Sequence, residues 1–481
     1  MMRSNLKKEC LMIRVFRIRV DILSIILPLF IFASVYAQEE LQEKEYLTLE
    51  DCIEIALQNN VTLRTAMFQE SAAEADVLGS YQGILPSLTA SAGKSRIDIG
   101  ASEYLSNEPV GIDPETGNVI YEQRTRSIEK QSRDNNSANL SLNQTLFDGG
   151  IWWNQIRKAK ADKRSSEYNY LSERNNTILS VKQAYFDLNK QIKLLEAKKM
   201  AVQRSQEQVD RTEKMHALGA TARLDVYRAR VNWGNDRIQM LNQQIQMEES
   251  RKKLNLVMGR DPLTPLEIKP IHEVNVKLPD LDELVHTAIR NQPLLKKYEE
   301  DIFASDLSVS LAKGINYPRI SAYLQYDRFH EDIIKVFSDF NKNYQTRYGI
   351  NVSINLFNGF KDYANIQKAE INKRIAQEQY EEYKRNLKAT LHQYYANYLS
   401  TLDIIEINKI NLEAAREEVR LAEERFQIGA GTSLDVREAQ VNLTNAEQTL
   451  IAAQYNALLL LAQIDAQLGI AYEKMKQDMK N

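Results

Sequence analysis

Two stretches of this 481-residue chain set the same carboxylate in the same surroundings. "LGATARLDVYRARVN" (218–232) and "IGAGTSLDVREAQVN" (428–442) share Leu-Asp-Val, so Asp225 recurs as Asp435 at an offset of 210 (435 − 225). In the second stretch Glu438 follows Asp435 by three residues, which puts both on one face of a helix. Such carboxylates suit two kinds of work. Near a helix N-terminus one accepts from free amides and complements the dipole, worth roughly 0.3–1 kcal/mol. Thr432 with Asp435 three residues on resembles a capping box of this kind. Where three copies surround an axis, Asp435 and Glu438 instead form two stacked rings at a narrow mouth, a device that favours cations. Gly429 and Gly431 permit a tight reversal after a helix, and Gly219 stands in the first stretch where Gly429 stands in the second.

No other chemistry assembles. His216, His272, His286, His330 and His392 are dispersed without ligand spacing. "AGKS" (92–95) lacks the earlier glycine of a phosphate loop, since position 88 is leucine. No nucleophile elbow, dinucleotide fingerprint or paired-cysteine motif is present. An enzyme, a metal and a cofactor are therefore not expected. The net charge of −3 carries no basic patch, so nucleic acid is not an expected partner.

The elements that must hold the two aspartates are long. No proline lies between Pro114 and Pro262, and none follows Pro318. Because proline breaks helices, these gaps predict helices over 151–216, 222–258, 361–427 and 433–470. The longest run on the order of 100 Å, a length typical of coiled coils or repeats. Small residues alternate with Leu, Val and charge over a stripe broader than a two-stranded zipper needs, which suits helices with neighbours on both flanks.

Strands are predicted at about 85–100, 137–147, 319–329 and 346–357. In "YGINVSINLF" (348–357), Tyr348, Ile350, Val352, Ile354 and Leu356 share one face, and small uncharged residues share the other. The strand after Pro86 is expected to lose register near Gly93. Strands of about ten residues fit a tilted membrane crossing, but four cannot close a barrel and lipid tolerates no open edge. Three chains would supply twelve.

The parts recur. "NQTLFDGG" (143–150) matches "SINLFNGF" (353–360), aligning Phe147 with Phe357 and Gly149 with Gly359 at the offset of the turns. "LTLEDCIEIALQNN" (47–60) matches "PDLDELVHTAIRNQ" (279–292) at a larger offset of 232 (281 − 49), shared by Pro86 and Pro318. The difference points to an insertion in the first half, expected as an exposed loop at "YLSNEPVGIDPETGNVIYEQRTRS" (104–127). Two repeats follow, 38–259 and 280–475, joined by a proline-rich linker at 260–279. Residues 1–37 read as an export signal: Arg14, Arg17 and Arg19, an apolar run, then Val35-Tyr36-Ala37. Cys10 lies in that signal, which leaves Cys52 alone.

From Leu47 to Ile470 this arrangement resembles the TolC family of outer-membrane efflux proteins. Its most specific marks are the duplicated turns Gly219–Val226 and Gly429–Val436 and the "LF[DN]G" joints at 146–149 and 356–359. The resemblance implies a mainly α protein with a β-barrel portion, built as a homotrimer. A twelve-stranded barrel in outer-membrane lipid continues into a helical tunnel through the periplasm. That tunnel docks a periplasmic adaptor (a membrane fusion protein) and an inner-membrane pump, and is the passive exit duct of a tripartite efflux or secretion system. It implies that Asp435 and Glu438 form the closing constriction and that Asp225 helps lock the tip. Gly219, Leu224, Val226, Gly429, Gly431, Leu434 and Val436 belong to the docking turns. The family's lock also uses an arginine where this chain has Gly431; Arg223 and Arg437 are the substitutes at hand. The alternative is a periplasmic or surface coiled-coil scaffold without a channel, for which the alternating strands have no use.

Overall fold

The computed structural model describes residues 46–271 and 278–478, so the export signal lies outside the described residues. In chain order the elements begin with β1 (Tyr46–Leu47), α1 (Leu49–Asn59) and α2 (Val61–Gly79). Four strands follow: β2 (Ser87–Ile99), β3 (Ser102–Ile112), β4 (Val119–Ile128) and β5 (Gln131–Phe147). Then come α3 (Ile151–Ala217), α4 (Arg223–Val257), β6 (Glu267–Ile268), α5 (Leu281–Asn291) and α6 (Pro293–Gly314). The chain continues through β7 (Arg319–His330), α7 (Ile333–Phe337), β8 (Tyr344–Ser353), α8 (Lys361–Gln427), α9 (Ser433–Gln467) and α10 (Ala471–Asp478).

The long helices form a wall. α3 and α8 are each 67 residues, and α4 and α9 each 35. Towards the two turns the helices lie in the order α4–α3–α9–α8; towards the strands α2 and α6 replace α4 and α9. The replacement works by end-to-end stacking. Asn60, the N-cap of α2, donates from its amide to the Val257 carbonyl that ends α4 (2.9 Å). Gln292, before α6, donates to the Gln467 carbonyl that ends α9 (3.1 Å). Gly259 and Gly469 take φ of +73° and +72° there, and a Cβ on either would collide with the backbone of Asn59 or Asn291. Glycine is thus required twice over, for its left-handed φ and for its missing side chain.

Burial follows position in the wall. α3, with neighbours on both flanks, buries 22 residues, whereas α8 of equal length buries eight. One core joins Ile53 and Ala56 of α1, Val181 and Tyr185 of α3, Leu254 of α4 and Ile268 of β6. A second joins Leu284 and Ala288 of α5, Leu387 and Tyr398 of α8 and Leu460 and Ile464 of α9. Cys52 is fully buried in the first core, and desolvation pushes its thiol up to about 12.

β2, β5, β7 and β8 form one antiparallel sheet in that order, with β2 and β8 at its edges. Several expectations need correction here. The insertion at 104–127 is not a loop. β3 and β4 pair antiparallel from Ser102↔Ile128 to Ile112↔Val119, so the β2–β5 hairpin runs on into a second one. Its alternation is hidden because Arg126–Glu108 and Arg124–Glu122 ion pairs occupy one face, and Pro109 sits at a bulge. β2 keeps register past Gly93 to Ile99; the irregularity lies in β5, between Thr145 and Phe147. β8 ends at Ser353, so Ile354 and Leu356 lie beyond it. The proline-rich stretch is more than a linker, since its β6 pairs in parallel with β1 and buries Leu266 and Ile268; residues 272–277 lie outside the described residues.

Candidate functional site

The two turns reverse the chain by the same hydrogen bonds. After α3, Gly219 N–H donates to the His216 carbonyl (2.9 Å) and Ala220 N–H to Met215 (2.8 Å). After α8, Gly429 N–H donates to Phe426 (3.1 Å) and Ala430 N–H to Arg425 (2.8 Å). This pair of bonds is a Schellman C-cap, which needs a residue in the left-handed region. Gly219 and Gly429 supply it with φ of +75° and +76°. Gly431 has a different job from the one expected, since its φ is not positive. A Cβ there would press on Arg425 and the Phe426 amide at 3.2 Å, whereas the matching place in the first turn holds Thr221.

Beyond the reversal the turns diverge, and the residue before each helix decides how. Thr432 caps α9 in a complete capping box. Its amide donates to Asp435 Oδ2 (2.8 Å), and the Asp435 amide donates to the Thr432 hydroxyl (3.2 Å). The Thr432 amide, then its hydroxyl, then the charge of Arg425 hold the Asp435 carboxyl below the usual carboxylate range. In the first turn the cap position is Ala222, which offers no side-chain bond. Asp225 is left to other partners: the Thr221 hydroxyl (3.0 Å), Arg228 (3.7 Å) and, across to the other turn, the Ser433 hydroxyl (3.5 Å).

Neither proposed arginine reaches Asp435 within the chain. Arg223 donates to its neighbour Tyr227 Oη (3.1 Å). Arg437 forms a two-pronged ion pair with Asp236 of α4, at 2.7 and 2.9 Å. Arg204 of α3 reaches Thr444 and Glu447 of α9 at 3.0 and 3.2 Å. These bonds tie α9 to both helices of the first pair, and a cleft of about 270 Å³ lies between them, lined by Gln208, Asp225, Arg228, Ser433, Leu434 and Arg437 among others. No pattern in the sequence pairs Arg437 with Asp236. The Ser433–Asp225 contact was equally invisible, although both residues stand in the duplicated stretch.

Asp435 and Glu438 are both exposed on α9. Val226 and Val436 are buried and fasten the turns from beneath. Leu224 and Leu434 are exposed, and so are Leu218 and Ile428, an apolar pair at matching places that sequence reasoning left out. At the far end of the wall the strand–helix joints share a second design. Asp148 accepts from the Trp152 amide (3.0 Å), and Asn358 from the Asp362 amide (3.4 Å), so the third residue of "LF[DN]G" caps the long helix. Gly149 and Gly359 have φ of +72° and +70°. Exposed aromatic rings crowd these joints: Phe147, Trp153, Tyr317, Phe357, Phe360 and Tyr363. Among the described residues no cluster of His, Cys, Asp or Glu could hold a metal ion, and no helix is long and apolar enough to cross a membrane.

Comparison with known proteins matches residues 52–260 and 284–470 to the outer membrane efflux protein family. The outer membrane protein TolC of Salmonella enteritidis is 25% identical over 401 residues, covering 79% of this chain and 77% of that protein. The proteases secretion protein PrtF of Dickeya chrysanthemi is 21% identical, covering 85% of each. Among solved structures, the Campylobacter jejuni CmeC outer membrane channel superposes with a TM-score of 0.73 at 19% identity, covering 90% of this chain and 88% of that one.

Proposed function

The chain belongs to the outer membrane efflux protein family, of channels rather than enzymes, and from that premise we propose that three copies assemble into one exit duct gated at the paired turns. The observation that carries the assembly is the open sheet. Among the described residues β2 and β8 each present an unpaired edge, and lipid tolerates none. Joining β2 of one copy to β8 of the next closes a barrel of twelve strands. The wall has the same property. α4 and α8 are its outer helices, and each exposes an apolar stripe: Val231, Ile238, Leu241 and Ile245 on α4, Ile404, Ile407 and Ile410 on α8. The same neighbouring copies that close the barrel would cover both stripes and make a tube. The matching lengths, turns and joints of 38–259 and 280–475 support a duplicated unit, two per copy. The aromatic rings at the strand–helix joints suit the periplasmic membrane interface.

The turns then lie at the periplasmic end of the tube. Asp435 and Glu438 form its carboxylate rings, and Asp225 with Ser433, together with Asp236 with Arg437, hold the two helix pairs shut. Gly219 and Gly429 set the turns, and exposed Leu218, Leu224, Ile428 and Leu434 offer the periplasmic adaptor an apolar grip, through which the inner-membrane pump is engaged. The relatives named for efflux and for protease secretion leave both cargoes open to this duct. Membrane fractionation followed by native mass measurement in detergent tests the assembly. An outer-membrane trimer is expected, and a monomer released with the soluble fraction overturns it.

A further inference from the structure

We propose that residues 332–342, between β7 and β8, form a lipid anchor that seats the outer rim of the barrel in the outer leaflet; this rests on the barrel reading above. The register places Leu88, Ala90 and Ala92 of β2 on one sheet face with Leu142, Leu140 and Ala138 of β5. Leu324 and Ala322 of β7 and Tyr348 and Ile350 of β8 continue it. In a membrane barrel this apolar face meets lipid. Above Ala92 and Ala138 the same face turns polar, with Lys94, Arg96 and Asp98 opposite Asn136, Asp134 and Ser132, so the apolar belt ends there.

At that border the segment folds back onto the belt. Val336 of α7 is 1% exposed, and a cleft of about 400 Å³ lies between Val336, Phe337 and Phe340 and the sheet residues Ala90, Ala92, Ala138, Leu140 and Tyr326. The seat is built from polar contacts underneath. Arg328, 2% exposed, brings Nη2 to the carbonyls of Lys335 (3.0 Å), Ser338 (2.5 Å), Asp339 (3.1 Å) and Lys342 (3.3 Å), with its guanidinium 4.6 Å from the centre of the Phe340 ring. Asn136 donates to the Glu331 carbonyl (2.7 Å), and Tyr326 Oη donates to that of Phe340 (3.2 Å). Asp332 caps α7 through the Ile334 amide (2.9 Å).

With its underside held, the segment turns Ile333, Ile334, Phe337 and Phe340 outward, Ile334 and Phe340 to 71% and 64%. Water penalises that display, while the boundary between acyl chains and headgroups rewards it. Exposed Lys335 and Lys342 flank the apolar residues, and their long stems can carry charge up to lipid phosphates. A neighbouring copy is the wrong occupant for this surface. α7 packs on β5 and β7, the two inner strands, and faces Ala90 and Ala92 of the edge strand β2 only across the cleft, whereas copies join along the backbone edges of β2 and β8.

The test uses the full chain with Cys10 and Cys52 replaced by serine, a single spin label, and reconstitution in bilayers. Labels go on Ile334→Cys and Phe337→Cys, with Ile350→Cys in the belt as reference. Oxygen is expected to relax the labels at 334 and 337 several-fold more than a water-soluble nickel chelate does, as at 350. Nickel access at 334 and 337 with 350 protected overturns the anchor and leaves the barrel standing. Nickel access at 350 overturns the barrel reading itself. Arg328→Gln is expected to raise nickel access at 337; an unchanged label removes arginine from the seat.

Discussion

Arg437 of α9 grips Asp236 of α4 with two hydrogen bonds, at 2.7 and 2.9 Å, reaching past α3 to do so. Asp236 is 7% exposed, so the pair is screened from water on the aspartate side. It ties the second helix pair to the first a few turns above the tip. Breaking one side leaves a charge in a half-dry seam, at a cost of about 2 kcal/mol. Arg437→Ala and Asp236→Asn are each expected to raise the mean conductance of single channels in planar bilayers. Replacing both by methionine is expected to restore much of the closed behaviour, because the uncompensated charge is gone.

The carboxylate rings proposed for the trimer make a selectivity prediction. Neutralising Asp435 and Glu438 together should weaken cation selectivity, read as a reversal potential moving towards zero in a salt gradient. Unchanged reversal potentials would remove the rings from the pore mouth.

That selectivity has a pH signature. The Thr432 amide holds the Asp435 carboxyl below its usual range, so Asp435 stays ionised where an ordinary aspartate takes up a proton. A depressed value means the cap's contribution is present above the unfolded value and is lost as pH falls through the lowered folded one. Selectivity should therefore outlast acidification to about pH 4, the ordinary aspartate range. Thr432→Ala keeps the amide and removes the hydroxyl, the second of the two stabilising bonds, so it should bring the loss part of the way to higher pH and cost the α9 N-terminus about 1 kcal/mol, seen as faster amide exchange there.

The converse change tests the division of labour between the two aspartates. Ala222→Thr supplies the cap that the first turn lacks, so Asp225 should turn inward to the new box and release Ser433. Slower amide exchange at the start of α4, together with a more easily opened channel, is expected. Tighter closure would show that Asp225 does not hold the second turn.

Gly219 and Gly429 have open space where a Cβ would go, so a substitution there suffers only from its left-handed φ. Valine at either position should cost roughly 1–2 kcal/mol and distort the turn. Efflux of a dye by a host depending on this channel should fall while the proposed trimer persists in mild detergent. Full efflux would separate the turns from docking.

Much of this molecule was legible along the chain. Helix ends near Ile151, Ala217, Lys361 and Gln427 follow from proline-free stretches bounded by glycine, and both are local signals. Four strands, β2, β5, β7 and β8, followed from period-two alternation. The β3–β4 hairpin escaped because ion pairs occupy one face and Glu103, Leu105, Asn107, Gln123 and Thr125 mix on the other, so apolar does not alternate with polar, and because Pro109 and Gly117 read as loop until the bulge and the turn are seen.

The sequence by itself determined where the chain turns and how far each helix runs, since capping, proline and side-chain period act within a few residues. Asp225 and Asp435 already differ on that scale, because Thr432 stands at the cap before one and Ala222 before the other. Only the tertiary structure showed what the uncapped aspartate meets: Asp225 faces Ser433, and Arg437 answers Asp236 rather than the tip. These choices depend on how α9 lies beside α3 and α4, a lateral packing decided by contacts about 200 residues apart in sequence. The seating of the segment after β7 draws on the same kind of contact, because Asn136 of β5 meets the Glu331 carbonyl, 195 residues away, only once β5 and β7 are paired.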